Sequence, residues 1–500
     1  MVVAPLDGAA AVEHLVQAYR MHDDERVRSE IAIVAASTQV FASPPGVATT
    51  FAREAAAALS DGLADQRQAL IAIQRISGFM HSLGEGWQTP APEPRGQGPG
   101  ARMLATTVAL EAVLAGTDRE RAIAMARFAL DGDHLIAVDD GLFWVNAAAV
   151  RILSDDDIGD FWSRARAASH ARGSLFAALS TSLWEGFWQW RRGELHEALA
   201  CLRAALDQDR LWAGTRVGEP FARAFQIDCH LDRGDLDAAR QAADSFAQTA
   251  AFGEGGRVYQ QALARLLVAE GRCDEALLVL GDPPSTDDGI AIVNPVWNPW
   301  RSSKAAALHG LGRTSEAIET AEEELVLLRV WGAPSFLGRA LCMLGELRGR
   351  AGLDDLAEAV DLLTSTPAAV DLARAQCALG SHPDVVDEEA IPLLDAASRL
   401  AEQRGARGIR ERALAELERR GHRIEPGGDD VRPLSRTDRQ ILDMTTAGLD
   451  EHEVAQRLFV TPGTVRTVLD EAGFGAEPGG SGISQGGRAT MTHEQNGRLQ

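Results

Sequence analysis

Arg457, Thr461, Gly463, Thr464, Arg466 and Thr467 fall in one short stretch of the chain, and they form a candidate DNA-binding set. Guanidiniums and hydroxyls donate to phosphate oxygens and base edges, the contacts that position a protein on a duplex and read it. A second cluster, Trp184, Trp188, Trp190 and Trp212, offers a candidate ligand or partner groove. The i, i+4 spacing of Trp184 and Trp188 equally suits a helix core. Other constellations are weaker. His452-Glu453-Val454-Ala455-Gln456 begins like a zinc-protease HExxH helix, but Gln456 stands at the second histidine, and one ring ligand cannot hold the metal. The acidic runs Asp139-Asp140, Asp155-Asp156-Asp157 and Asp354-Asp355 come without a catalytic partner or Gly-rich loop and read as solvated or helix-start carboxylates. Neither catalysis nor a bound metal or cofactor is expected.

The elements that hold the candidate DNA-binding set can be read from their end signals. Ser435 is a good N-cap with Asp438 in the first turn, and the helix they start turns Ile441 and Leu442 inward and stops at Gly448. A second helix over 451–458 carries Val454, Ala455 and Leu458 on one side. Thr461 then caps a third with Pro462 at its first position, and Val465, Val468 and Leu469 form its inner face. Two short helices joined by a tight turn make a helix-turn-helix, which leaves Gly463, Thr464, Arg466 and Thr467 facing a major groove. Leu434, Leu449 and Phe459 complete the expected apolar frame.

Upstream, a Gly with an Ala five residues later recurs at Gly193/Ala198, Gly234/Ala239, Gly271/Ala276, Gly312/Ala317 and Gly352/Ala357, in steps of 41, 37, 41 and 40 residues. A fixed period in that range marks stacked helix pairs, because one pair cannot bury its apolar face alone. In the first unit Leu195, Ala198, Leu199, Leu202, Ala205 and Leu206 form a single helical stripe. The Gly lets the chain reverse through positive φ, and the Ala lets two helices approach closely. Gly116 with Ala122 lies about two periods earlier, so the array is expected to begin upstream in degenerate form. The fold class is therefore all-α: a tetratricopeptide-like helical-repeat solenoid followed by a small helix-turn-helix domain.

Composition sets the bounds. The formal charge of −23 opposes general attraction to nucleic acid or an anionic membrane, so any DNA contact must be local. Arginine supplies 48 of the 49 basic residues, and Lys304 is the single lysine. Cys201, Cys229, Cys273, Cys342 and Cys377 are scattered and never form a CxxC pair, which suits buried, reduced thiols in a cytoplasmic protein. The start of the chain lacks a basic stretch followed by an apolar one, and the apolar run near 142–150 is about half a membrane span, so neither secretion nor membrane insertion is expected.

The expected organisation is an N-terminal helical segment (1–82), a Pro/Gly-rich linker (83–103), helical repeats (104–424), a joint (425–433), the helix-turn-helix (434–474) and a disordered tail (475–500). The linker carries Pro90, Pro92, Pro94 and Pro99 among five glycines, and the tail has seven glycines and almost no periodic apolar content.

The stretch 434–469 resembles the C-terminal DNA-binding domain of LuxR-type transcription regulators, on Leu434-Ser435-Arg436-Thr437-Asp438, Ala447-Gly448-Leu449-Asp450-Glu451-His452-Glu453-Val454-Ala455 and Thr461-Pro462-Gly463-Thr464-Val465-Arg466. The array is similar to the helical-repeat region of the large ATP-binding, maltose-activator-like members of that family in actinobacteria, on Pro299-Trp300-Arg301-Ser302, Ala321-Glu322-Glu323-Glu324-Leu325 and Trp331-Gly332-Ala333-Pro334. Arg404-Gly405-Ala406 with Ala413-Leu414-Ala415-Glu416-Leu417 resembles the segment joining the two. The likeness spans roughly residues 110–470. It implies a transcription regulator that binds double-stranded promoter DNA through the helix-turn-helix, with an inducer or protein partner on the repeat array.

The departures qualify that implication. Such regulators begin with an ATPase domain, yet no GxxxxGKS/T loop exists here and Lys304 sits in Trp300-Arg301-Ser302-Ser303-Lys304, which is no phosphate loop. ATP binding in the family's manner is not expected, and the chain reads as a shortened regulator or the C-terminal portion of a longer one. Over 432–475 five basic residues face seven acidic ones. Gly463 stands where the family commonly has Arg or Lys, Val468 where His is common, and Glu451 replaces an Asn. Gly473-Phe474-Gly475 interrupts the family's fourth helix, the dimerisation element, so that helix is expected to be missing or short. The alternative is a protein-interaction scaffold with a vestigial DNA-binding domain.

Overall fold

The computed structural model describes residues 8–81, 89–212, 218–246, 253–281, 292–422, 435–458 and 460–472. The joint 425–433, Leu434, Phe459, Gly473-Phe474-Gly475 and the tail lie outside them. Among the described residues the chain is all-α, with no strand and no helix long and apolar enough to cross a membrane.

Four helices lead: α1 (Gly8–Met21), α2 (Glu25–Ala42), α3 (Val47–Ala57) and α4 (Ala64–Met80). Next come α5 (Pro99–Ala115), α6 (Arg119–Leu130), α7 (His134–Val138), α8 (Leu142–Leu153) and α9 (Phe161–Arg172). Pairs then follow one another: α10 (Leu175–Arg191) with α11 (Leu195–Leu211), α12 (Glu219–Arg233) with α13 (Leu236–Asp244), and α14 (Gly253–Ala269) with α15 (Cys273–Leu280). They continue through α16 (Trp300–Gly310) with α17 (Thr314–Trp331), α18 (Pro334–Arg348) with α19 (Leu353–Thr364), and α20 (Ala369–Gly380) with α21 (Asp387–Arg404), to which α22 (Arg407–Arg419) adds. The last three are α23 (Arg436–Thr446), α24 (Glu451–Leu458) and α25 (Pro462–Glu471).

The recurrent glycine sits between the helices of the five pairs from α10–α11 to α18–α19. Gly193, Gly234, Gly271 and Gly312 all take φ between 74° and 77°, where a Cβ is strained, and the alanines five residues on are fully buried. The fifth copy differs. Gly352 has φ −95°, Ala357 is exposed, and Ala359 takes the buried place. A short 3-10 turn, Gly349–Gly352, intervenes and shifts the register; Gly352 is small because a Cβ there would stand 2.1 Å from the Gly345 carbonyl oxygen.

The linker expected over 83–103 ends early, since α5 begins at Pro99. Its described part is tied down rather than free. Gln68 exchanges hydrogen bonds with the Arg95 backbone at 2.9 and 2.7 Å, and Asp65 accepts from the Gly100 and Ala101 amides at 3.0 Å. One apolar core runs without a break from Ala32 through α5 and on to Ala378.

The array also turns back on itself. Trp331 Nε1 donates to the Leu153 carbonyl at 2.9 Å, Ser335 N donates to Asp155 at 2.7 Å, and Arg374 pairs with Asp232 at 2.6 Å. Leu195 of α11 shares a small core with Val370, Ala373, Ala401 and Ala406. α18 and α20–α22 thereby meet α8 and α10–α12, so the inner helices enclose a space. All five cysteines are free and buried, and burial pushes the Cys201, Cys229, Cys342 and Cys377 thiols up, which keeps them unreactive.

Candidate functional site

The C-terminal unit is assembled by its caps. Ser435 accepts from the Asp438 amide at 2.9 Å while Asp438 accepts from the Ser435 amide at 3.3 Å, a reciprocal capping box that starts α23. Gly448 turns the chain at φ 93°, and Thr461 caps α25 with Pro462 at its first position. Ile441, Val454, Ala455, Val460, Val465, Val468 and Leu469 make the core of the three helices. Val468 is thus an inner residue.

On the outer side Gly463, Arg466 and Thr467 are exposed on α25, and Arg457 is exposed at the end of α24. Thr467 returns its hydroxyl to the Gly463 carbonyl at 3.0 Å. Arg466 is held by Glu451, with Nη2 2.7 Å from Oε2, and each partner moves the other's pKa toward its charged form. A carboxylate at the start of α24 therefore competes with any phosphate for this guanidinium.

Thr461 and Thr464 face the array instead of solvent. The Thr461 hydroxyl donates to Asp207 Oδ2 at 3.2 Å, and the Thr464 hydroxyl donates to the same oxygen. The other Asp207 oxygen takes Arg210 at 3.0 Å. Along the same helix, α11, Glu197 accepts from the Arg436 amide, Arg203 stands 3.5 Å from Asp438, and Ala204 packs on the core of the C-terminal unit. Burial pushes the Glu197 carboxyl up, and the Arg436 amide opposes that shift. The unit is docked on α11 through the very turn that starts α25.

The tryptophans part company. Trp184 and Trp190 line a partly open cavity of about 150 Å³ between α8, α10, α12, α14 and α16–α18. Trp188 lies on the other flank of α10 under the Arg192 guanidinium, and Trp212 packs on Phe41 and Phe176 away from the cavity. The cavity wall adds Trp297, stacked on Trp184 with centroids 6.2 Å apart, and Phe225, stacked on Trp190 at 6.1 Å. The Trp184 and Trp190 positions were legible as candidates. Trp297 was not, because its loop carries no periodicity, although Phe221 and Phe225 at i, i+4 could have been read as facing Trp184.

Charged groups enter the same cavity. Arg265 is bidentate on Asp228 at 2.7 and 2.6 Å. Glu324 accepts from both the amide and hydroxyl of Ser302, and burial raises its pKa. Arg191, almost wholly covered, lies over the Phe336 ring at 4.2 Å.

The remaining candidates are structural. Asp139 accepts from the Phe143 amide at 2.8 Å at the start of α8, Asp156 binds Arg127 and Arg151, and Asp355 binds Arg348 at 2.6 Å. His452 is exposed, and no group of three metal-capable side chains gathers among the described residues. No protein-family model matches the chain, and no curated protein matches it either.

Proposed function

We propose that the chain is a transcription regulator: the C-terminal unit is a LuxR-like helix-turn-helix that binds promoter DNA, and the tetratricopeptide-like array receives a small-molecule or protein signal and controls its release. The observation that carries this reading is the engagement of Asp207 with Thr461 and Thr464. In a helix-turn-helix the N-terminal end of the second helix enters the groove. Here a carboxylate occupies the hydroxyls of that end as a phosphate oxygen would. An array that holds the reading end can regulate it, and α11 is linked to the cavity through its partner α10.

The test is fluorescence anisotropy of the full chain on fragments of its own upstream region and on unrelated DNA, at several salt concentrations. Selective, salt-sensitive binding supports the proposal. The scaffold reading is favoured by the Arg466–Glu451 pair and the acidic balance of the unit. Absence of binding even at low salt would establish that reading in its place.

A further inference from the structure

We propose that the cavity between Trp184, Trp190 and Trp297 binds a small aromatic carboxylate, its ring among the tryptophans and its carboxylate on Arg191 and Arg339. The claim deepens the role of the array as receiver and rests on that reading for its regulatory meaning.

The size and lining set the apolar half of the ligand. A space of about 150 Å³ walled by stacked aromatic rings matches one six-membered ring, as an apolar cavity of that size takes benzene. Trp184 and Trp297 are already stacked on each other, and Trp190 has its indole nitrogen anchored to Asp232 at 2.8 Å, so the rings are preset rather than mobile.

The charge pattern sets the polar half. The cavity's carboxylates are engaged: Asp228 by Arg265 and Glu324 by Ser302. Its other two guanidiniums share one carboxylate, Asp371, as a distant ion pair without a hydrogen bond. Asp371 is taken by Arg374 at 2.7 Å and reaches Arg191 and Arg339 only at 3.8 and 3.9 Å, too far for a hydrogen bond. Arg191 makes one long bond, 3.4 Å to the Ser335 hydroxyl. A guanidinium carries five N–H donors, and burying those of Arg191 unmatched is unfavourable, whereas Arg339 is partly exposed and keeps donors free to turn toward the cavity. Both arginines flank the same ring, standing 5.7 and 5.9 Å from the Trp190 centroid. A carboxylate beside Trp190 would accept from both, with the charge assistance that makes such bonds strong. An amine would meet two cations that lack hydrogen-bonded carboxylates, and carboxylates already held by Arg265 and Ser302.

The experiment is titration calorimetry of the full chain, without DNA, using benzoate, phenylacetate and phenylpropionate beside phenylacetamide and phenethylamine. At least one of the acids is expected to bind one per chain and at least tenfold more tightly than the amide, with no binding of the amine. Arg339→Gln, at a half-exposed position, is expected to weaken the acid at least tenfold and leave the amide unchanged; Met343→Trp, which fills the space, is expected to abolish both. Silence from all three acids, equal affinity for acid and amide, or an unchanged acid affinity in Arg339→Gln overturns the assignment. Because no DNA is present, failure here is separate from failure of the chain to bind a promoter.

Discussion

Thr464 donates its hydroxyl to Asp207, a residue 257 positions earlier in the chain, and the bond joins the first turn of α25 to the array. Thr461 adds a second bond to the same oxygen. Hydrogen bonds to a charged group contribute about 1.5–3 kcal/mol each when well made. Asp207→Ala is therefore expected to loosen the docked unit without unfolding it. Hydrogen exchange reads this directly: the Arg436 amide, now bonded to Glu197, exchanges faster in the variant while amides inside α24 keep their rates. Unchanged Arg436 exchange would show that the docking rests on other contacts.

Arg466 and Glu451 give a second prediction. Glu451→Gln removes the competing carboxylate, so DNA affinity rises and the salt slope steepens by about one phosphate contact. Arg466→Ala is expected to abolish binding while leaving helix content and melting unchanged. Anisotropy with a salt series checks both, and retained affinity in Arg466→Ala would move the contact surface elsewhere.

The closure of the array predicts an asymmetry between two glycines of like geometry. Gly193 and Gly271 have φ of 77° and 76°, so an alanine at either is strained by about 1–2 kcal/mol. A Cβ at Gly193 would also stand 2.9 Å from the Val370 amide nitrogen, whereas nothing lies within 4 Å at Gly271. Gly193→Ala is expected to destabilise by a further ~1–3 kcal/mol, the usual range for overpacking. Urea midpoints compare the two, and equal losses would argue against the contact between α10–α11 and α20.

A buried and a partly buried group make opposing contributions to pH dependence. Burial, with Arg233 beside it, lowers the His230 pKa from 6.5 to about 4. Between those values the unfolded chain binds the extra proton, so this stability is present above pH 6.5 and is lost as pH falls toward 4. Burial raises the Asp139 pKa from 3.8 to about 6 against the pull of the Phe143 and Trp144 amides. There the folded chain binds the extra proton, so stability falls as pH rises from about 4 to 6. His230→Gln is expected to reduce the acid-side loss, and Asp139→Asn to remove the opposite term. Melting curves from pH 4 to 7 for each variant test the signs.

What could be read from the sequence was local. The caps Ser435 and Thr461-Pro462 and the stop at Gly448 place α23–α25 because each satisfies backbone groups within a few residues. Gly193 and Ala198 declare their pair for the same reason. Gly352 misleads because the 3-10 turn supplies the reversal at Gly349 instead. The cavity face of α10 runs through Trp184, Phe187, Trp190 and Arg191, which leaves Trp188 on the other flank, and Trp212 lies beyond the next helix. Trp331 with Leu153 and Arg374 with Asp232 are 178 and 142 residues apart, and nothing local announces such pairs. The same distance hides Asp207 from Thr464, and with it the docking of the candidate site.

The most direct test is anisotropy of the wild-type and Asp207→Ala chains, side by side, on the promoter-proximal fragment of the protein's own upstream region. Release of the docked unit predicts selective, salt-sensitive binding that is at least tenfold tighter in the variant, which corresponds to ~1.4 kcal/mol or more of lost docking. Equal affinities, or no binding by either chain at low salt, would contradict a regulator held off DNA by its own array.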